Sequence, residues 1–218
     1  MLLIIDNYDS FTYNLYQIAG MFAKDIKVVF NDAIGIKGIR SLDPSHIIIS
    51  PGPGRPKDAG ICMDAVLAFA GKVPLLGICL GHQVICEAFG AEITRAKSLS
   101  HGKKSMVRID NGNPVFRQLP PLLEAGRYHS LATERSTLPD ELLVIAETND
   151  GEVMGVKHRD HDVFGLQFHP ESILTPNGTK IIENFLKVGG GENERKYDHD
   201  ILTGHHPAFY ETRAVMMR

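Results

Sequence analysis

The chain has 218 residues, of which 43% are hydrophobic and 22% charged, with a formal net charge of −3. That length suits one domain with a sizeable core, and the charge balance leaves no electrostatic footprint for nucleic acid or an anionic membrane. No apolar run approaches the length of a membrane span. The N-terminus reads directly as a strand with no basic stretch before it, so no signal peptide is expected. The three cysteines, Cys62, Cys79 and Cys86, lack a Cys-x-x-Cys spacing. They argue against a disulfide framework or a zinc site and fit a reducing cytoplasm.

Taken in order, Leu2 to Ile5 reads as a buried strand, followed by the polar loop Asp6-Asn7-Tyr8-Asp9-Ser10. Ser10 is placed to cap a helix from Phe11 to Phe22. Ile26–Phe30 and His46–Ser50 are strands, the second ending in Pro51-Gly52-Pro53-Gly54. A helix is expected from Ala59 to Ala70 and a strand from Val73 to Ile78. Leu80 to Phe89 then carries apolar residues at helical spacing, with Gly90 as its stop. Strands alternating with helices mean a parallel, doubly wound sheet, with the site at the carboxyl ends of the strands.

Beyond Gly90 the pattern changes to short strand-like runs: Glu92–Thr94, Lys104–Ile109, Leu142–Glu147, Val153–His158 and Val163–Phe168. Asn149-Asp150-Gly151 is a hairpin turn, so an antiparallel portion is expected on the sheet. A last helix spans about Asn177 to Lys187. Gly189-Gly190-Gly191 then opens a tail to Arg218 with linker chemistry, read as a mobile extension of a domain covering 1–188. The His205-His206 pair in the tail lacks the partners a metal site needs.

The chemistry concentrates at Gly77-x-Cys79-x-Gly81. A strand turning sharply into a helix, with a small residue on each side of a nucleophile, is the cysteine form of a nucleophile elbow. Such a corner holds the sulfur at the sheet edge, where the amides of the new helix favour the thiolate. A nucleophile needs a base and the base an orienting group. His169-Pro170-Glu171 supplies both, because residues i and i+2 of an extended segment share a face. The amide of Leu80 is one candidate oxyanion donor. The glycine amides of Pro51-Gly52-Pro53-Gly54 are another, since Pro53 has no N–H. Cys62 and Cys86 are read as small buried hydrophobes and His82 as a packed residue of the elbow helix.

These residues resemble the class I, triad-type glutamine amidotransferases, and within them the small subunits of chorismate-using synthases. The matching motifs are Asp6 to Asn14, Ser50 to Gly54, Gly77 to Gln83, His101-Gly102-Lys103, Tyr128-His129-Ser130-Leu131 and Gln167 to Ser172. The resemblance covers residues 1 to about 188. It implies an α/β, flavodoxin-like open sheet, mostly parallel with an antiparallel portion and helices on both faces. It also implies a Cys79, His169, Glu171 triad that hydrolyses L-glutamine through a γ-glutamyl thioester. Gly52, Pro53, Gly54, Leu80, Gln83, Ser130 and Leu131 match substrate-binding positions. No metal or cofactor is implied in this chain. The implied partner is a larger chorismate-binding subunit that uses Mg²⁺ and receives the ammonia. Its docking surface would include Asn7, Tyr8, Asp9, Ser10, Phe11, Tyr13, His101 and Lys103. Anthranilate synthase and 4-amino-4-deoxychorismate synthase both stay open. A cysteine hydrolase of the same fold and a catalytically silent subunit are the competing readings.

Overall fold

Leu2–Asp6 forms strand β1, buried along its whole length in the computed structural model, which describes residues 1–189, with backbone alone for 97–101. The chain continues through α1 (Thr12–Gly20), β2 (Ile26–Phe30), α2 (Ile36–Leu42), β3 (His46–Ile49), α3 (Cys62–Phe69), β4 (Leu75–Ile78) and α4 (Leu80–Ala88). Then follow β5 (Ile93–Ile109), β6 (Leu122–Thr133), β7 (Leu142–Thr148), β8 (Val153–His158), β9 (Val163–Leu166) and α5 (Gly178–Leu186). One nine-stranded sheet holds every strand, in the order β2-β1-β3-β4-β9-β8-β7-β5-β6. Strands β2 through β9 in that order are parallel. The remainder is antiparallel.

Alternate residues of the central strands supply two cores, as a period of two requires. Leu2, Ile4, Ile48, Leu76, Ile78 and Phe164 pack with Leu15 of α1 and Ile181, Ile182 and Phe185 of α5. Leu3, Ile5, Ile47, Ile49, Leu75 and Val163 face the other way, onto Ile39 of α2, Val66 and Phe69 of α3 and Val84 and Ile85 of α4. Covering both faces explains why these strands are continuous apolar runs rather than alternating ones. Cys62 and Cys86 belong to the second core, and burial pushes both thiols up to about 12. Among the described residues, no helix is long and apolar enough to cross a membrane.

Several expectations are corrected. Glu92–Thr94 and Lys104–Ile109 are parts of one strand, β5, whose pairing with β6 is interrupted by register shifts near Ser100 and Gly102. Strand β6 and helix α2 were not anticipated. Ser10 does not cap α1. Asp9 Oδ1 accepts from the Phe11 amide at 2.8 Å, and Asp6 Oδ1 accepts from the Thr12 hydroxyl at 2.8 Å, so two carboxylates organise that turn. Val73 and Phe168 lie just outside their strands. The tail beyond Gly189, with its His205-His206 pair, lies outside the described residues; Met1–Val188 forms one compact unit.

Candidate active site

Two glycines force the elbow. A Cβ on Gly77 would collide with the Gly81 carbonyl oxygen, and one on Gly81 would collide with the Ile49 carbonyl oxygen. Neither backbone contact can yield, so α4 packs directly against β3 and β4 only when both side chains are missing. Between them Cys79 takes φ +51°, ψ −99°, a conformation L-residues rarely adopt. Its amide donates to the Leu166 carbonyl at 2.8 Å, and its carbonyl accepts from the Gln83 amide at 3.1 Å. The strained corner is therefore tied on both sides. Cys79 is 7% exposed.

Cys79 and His169 are distant in sequence but follow neighbouring strands of the sheet. Strands β4 and β9 are parallel neighbours, with Ile78 opposite Leu166. Both chains leave the sheet at the same edge, so the residues after each strand face one another. The His169 amide donates to the Gly126 carbonyl at 3.0 Å, and its carbonyl accepts from Thr175 Oγ1 at 2.7 Å. The ring is walled by Tyr128 at 5.0 Å and Phe11 at 5.6 Å between centroids. His169 Nδ1 lies 2.6 Å from Glu171 Oε1, with both side chains buried.

That geometry sets the charge on the ring. Burial pulls the imidazole down, but the Cys79 sulfur and the Glu171 carboxylate outweigh it and raise it to about 10. The proton is thus held at neutral pH. With Nδ1 committed to Glu171, Nε2 is the nitrogen left to act on Cys79. It is buried and makes no hydrogen bond of good geometry among the described residues.

The Pro51–Gly54 loop abuts the elbow. A Cβ on Gly52 would meet Asn7 Cβ at 2.5 Å and Leu80 Cδ2 at 2.8 Å, so only glycine lets the loop approach so closely. Pro53 and Gly54 are exposed at its tip. Leu80 opens α4, where first-turn amides have no partner inside the helix. Ser130 is exposed on β6 and Leu131 half-buried.

Gln83 is more deeply engaged than its sequence position suggests. Its Nε2 donates to the Leu131 carbonyl and to Gln167 Oε1, each at 3.1 Å. Both amide protons are used, so only its carbonyl oxygen is left for a ligand.

The expected docking residues divide. Tyr8 and Tyr13 are exposed, at 57% and 61%. Ser10 and Lys103 are exposed too, while Asp9 and Phe11 are half-buried. His101 pairs with Tyr128 across β5 and β6, and its side chain lies outside the described residues. Asn7 is corrected: it is buried and serves as an internal clasp. Its Nδ2 donates to the Ser50 carbonyl at 2.9 Å, and its Oδ1 accepts from Asn31 Nδ2 at 2.8 Å and Cys62 Sγ at 3.2 Å. Asn7 thereby fixes the loop after β1 to the loop after β3. Elsewhere, His82 is fully buried and bonded to Thr133 Oγ1 at 3.1 Å, a packed role as expected.

A polar cluster was missed. Arg127 Nη2 pairs with Glu152 Oε1 at 2.6 Å, and Arg127 Nε donates to His129 Nε2 at 3.1 Å. His129 Nδ1 then donates to the Leu131 carbonyl at 2.9 Å, so this ring is neutral. Burial and the neighbouring guanidinium lower it to about 4. His129 and Gln167 stand inside motifs the sequence displays, but neither pattern says that they bond beneath the site. Among the described residues no group of three or more His, Cys, Asp or Glu could hold a metal ion.

A strained cysteine elbow beside a His–Glu pair, at the edge of the parallel half of a mixed sheet rather than of a mostly parallel one, defines a class of thiol-dependent enzymes. The chain belongs to the family described as Glutamine amidotransferase class-I, which matches residues 3–188. It is 52% identical over 188 residues to the "Bifunctional protein TrpGD" of Thermotoga maritima, covering 85% of this chain but only 32% of that longer protein. It is 47% identical over 188 residues to the "Aminodeoxychorismate/anthranilate synthase component 2" of Bacillus subtilis, covering 86% of this chain and 96% of that one. Among solved structures, a Thermoplasma acidophilum protein described as a GMP synthase subunit superposes with a TM-score of 0.73 at 25% identity, over 93% of this chain and 96% of that one.

Proposed function

We propose that this chain is the glutamine-hydrolysing subunit of a chorismate amidotransferase. The observation that carries the reading is the placement of Cys79 beside a histidine whose far nitrogen is held by Glu171 at 2.6 Å. Cys79 Sγ attacks the side-chain carbonyl carbon of glutamine. The amides of Leu80 and Gly52 or Gly54 hold the oxyanion that forms. His169 gives its proton to the departing nitrogen, and ammonia leaves as the γ-glutamyl thioester forms. His169 then takes a proton from water, whose oxygen displaces the sulfur and releases glutamate. Glu171 keeps the imidazole oriented through both steps. The Gln83 carbonyl oxygen and the backbone at Ser130 and Leu131 bind the polar end of the amino acid.

Ammonia passes to a partner that binds chorismate and carries its own Mg²⁺; the chemistry here requires no metal in this chain. The names carried by the Bacillus relative support such a partner and join two products. Anthranilate is the primary product in this reading and 4-amino-4-deoxychorismate the alternative. Tyr8, Ser10 and Tyr13, exposed near the strand-end edge, contribute to the docking surface. The test is co-purification with the chorismate-binding subunit from the same source, then product identification with glutamine as sole nitrogen donor. Formation of either aromatic amine with equimolar glutamate supports the proposal. A complex that forms neither product but does so from ammonia would contradict it.

A further inference from the structure

Gln167 is fully buried at the end of β9, one residue beyond Leu166, and its side chain reaches the nucleophile. Its Nε2 lies 3.6 Å from Cys79 Sγ. The amide orientation follows from its neighbours. The Leu131 carbonyl can only accept, so Gln83 must turn its NH₂ toward it. The second proton of that NH₂ points at Gln167, which must answer with its oxygen. The nitrogen of Gln167 is thereby left facing the sulfur as a donor. His129, bonded to the same Leu131 carbonyl at 2.9 Å, anchors the far end of the chain of bonds.

We propose that Gln167 is a catalytic residue that donates a hydrogen bond to the Cys79 thiolate, with Gln83 as the positioning residue that fixes its orientation. The inference rests on the reading of Cys79 as nucleophile. A donor aimed at sulfur favours the anion over the thiol. It acts twice in the cycle. The thiolate is the attacking group when the thioester forms, and it is the leaving group when water breaks the thioester. His169 balances the charge from the other side, and it alone moves protons. In this arrangement Gln83 is chiefly a support beneath the sulfur, and its contribution to substrate binding is limited to one carbonyl oxygen.

The test is the pH profile of Cys79 alkylation by iodoacetamide in the full-length chain, with labelling at each cysteine read by mass spectrometry. Gln167→Met keeps the size of the side chain and removes the donor. Its profile midpoint should rise by about one pH unit, the size expected for losing a hydrogen bond to a charged group. Gln167→Glu should raise it further, because a carboxylate repels the thiolate. Gln83→Met should shift it in the same direction by less. A Gln167→Met protein that unfolds cooperatively like the wild type but keeps the wild-type midpoint would overturn the proposal. Should that variant fail to fold, Gln83→Met carries the test: an upward shift supports the proposal and an unchanged midpoint overturns it. Wild-type protein that is not alkylated at Cys79 at all would instead remove the nucleophile reading beneath it.

Discussion

Gly81 faces the carbonyl of Ile49 with no room for a methyl group; a Cβ there would overlap the oxygen and press on the Ile49 side chain at 3.0 Å. Helix α4 owes its position, and Cys79 its strained backbone, to that contact. Gly81→Ala should destabilise the protein by about 3 kcal/mol, the upper range for forcing an extra carbon into a packed core. Urea unfolding measures this. The same variant should lose glutamine-dependent activity out of proportion to its folded fraction, because the corner moves. A midpoint within error of wild type would mean that the elbow is not under this constraint.

His169 and Glu171 should separate in kinetics. His169→Ala removes proton transfer in both half-reactions and should lower kcat/KM for glutamine by about 10²- to 10⁴-fold. Glu171→Ala leaves a ring that can still carry a proton, less well held and less basic. Its loss should be smaller, because the ring keeps proton transfer and loses only the carboxylate that orients it. Steady-state glutaminase assays of the complex decide this. Equal losses would give Glu171 a role beyond orientation.

Buried neutral histidines should make the protein acid-sensitive. His82 is lowered to about 3 by burial and His129 to about 4 by burial and Arg127. Between those values and the unfolded value near 6.5 the unfolded chain binds more protons than the folded one. Stability is therefore fully present above pH 6.5 and falls as pH drops toward 3. His169 has the opposite sign: raised in the fold, it contributes stability below pH 6.5 that is lost as pH climbs toward about 10. Urea midpoints from pH 3 to 9 should trace a maximum near neutrality. His82→Gln should flatten the acid limb by up to one proton; an unchanged slope would show that His82 is not buried neutral.

The Arg127–Glu152 pair offers a stability test away from the sulfur. Both side chains are almost wholly buried, at 6% and 4% exposure, and lie 2.6 Å apart. Glu152→Ala strands a buried guanidinium and should cost about 3–5 kcal/mol. The double substitution Arg127→Met, Glu152→Met removes both charges and should recover much of that loss. Thermal unfolding distinguishes the two. Full recovery of stability with reduced glutamine turnover would locate the pair's role in holding His129 beneath Leu131.

What the sequence discloses and what it hides follow from local physics. The elbow is legible because a short apolar run, two glycines and a helical repeat sit side by side. The His169–Glu171 pairing is legible because proline restricts the residue before it. Helix α2 is hidden because Gly35 offers no side-chain cap and only Ile39 is buried. Strand β6 is hidden because Arg127 and His129 break the apolar pattern, and their partner Glu152 lies elsewhere in the sequence. Strand β5 reads as two pieces because Gly102, at φ +65°, lies where its pairing slips. Asn7 reads as a surface residue because polar residues in loops usually are; only the fold shows Ser50, Asn31 and Cys62 closing around it. Gln167 is hidden because a glutamine at a strand end carries no periodic signal.

The central claim is that Cys79 opens glutamine while the partner consumes ammonia. Cys79→Ser in the purified complex, assayed side by side with glutamine and with ammonium salt as nitrogen source, tests it most directly. Glutamine-dependent product should fall to background while ammonia-dependent product stays at the wild-type rate. Retention of glutamine-dependent synthesis would contradict the account.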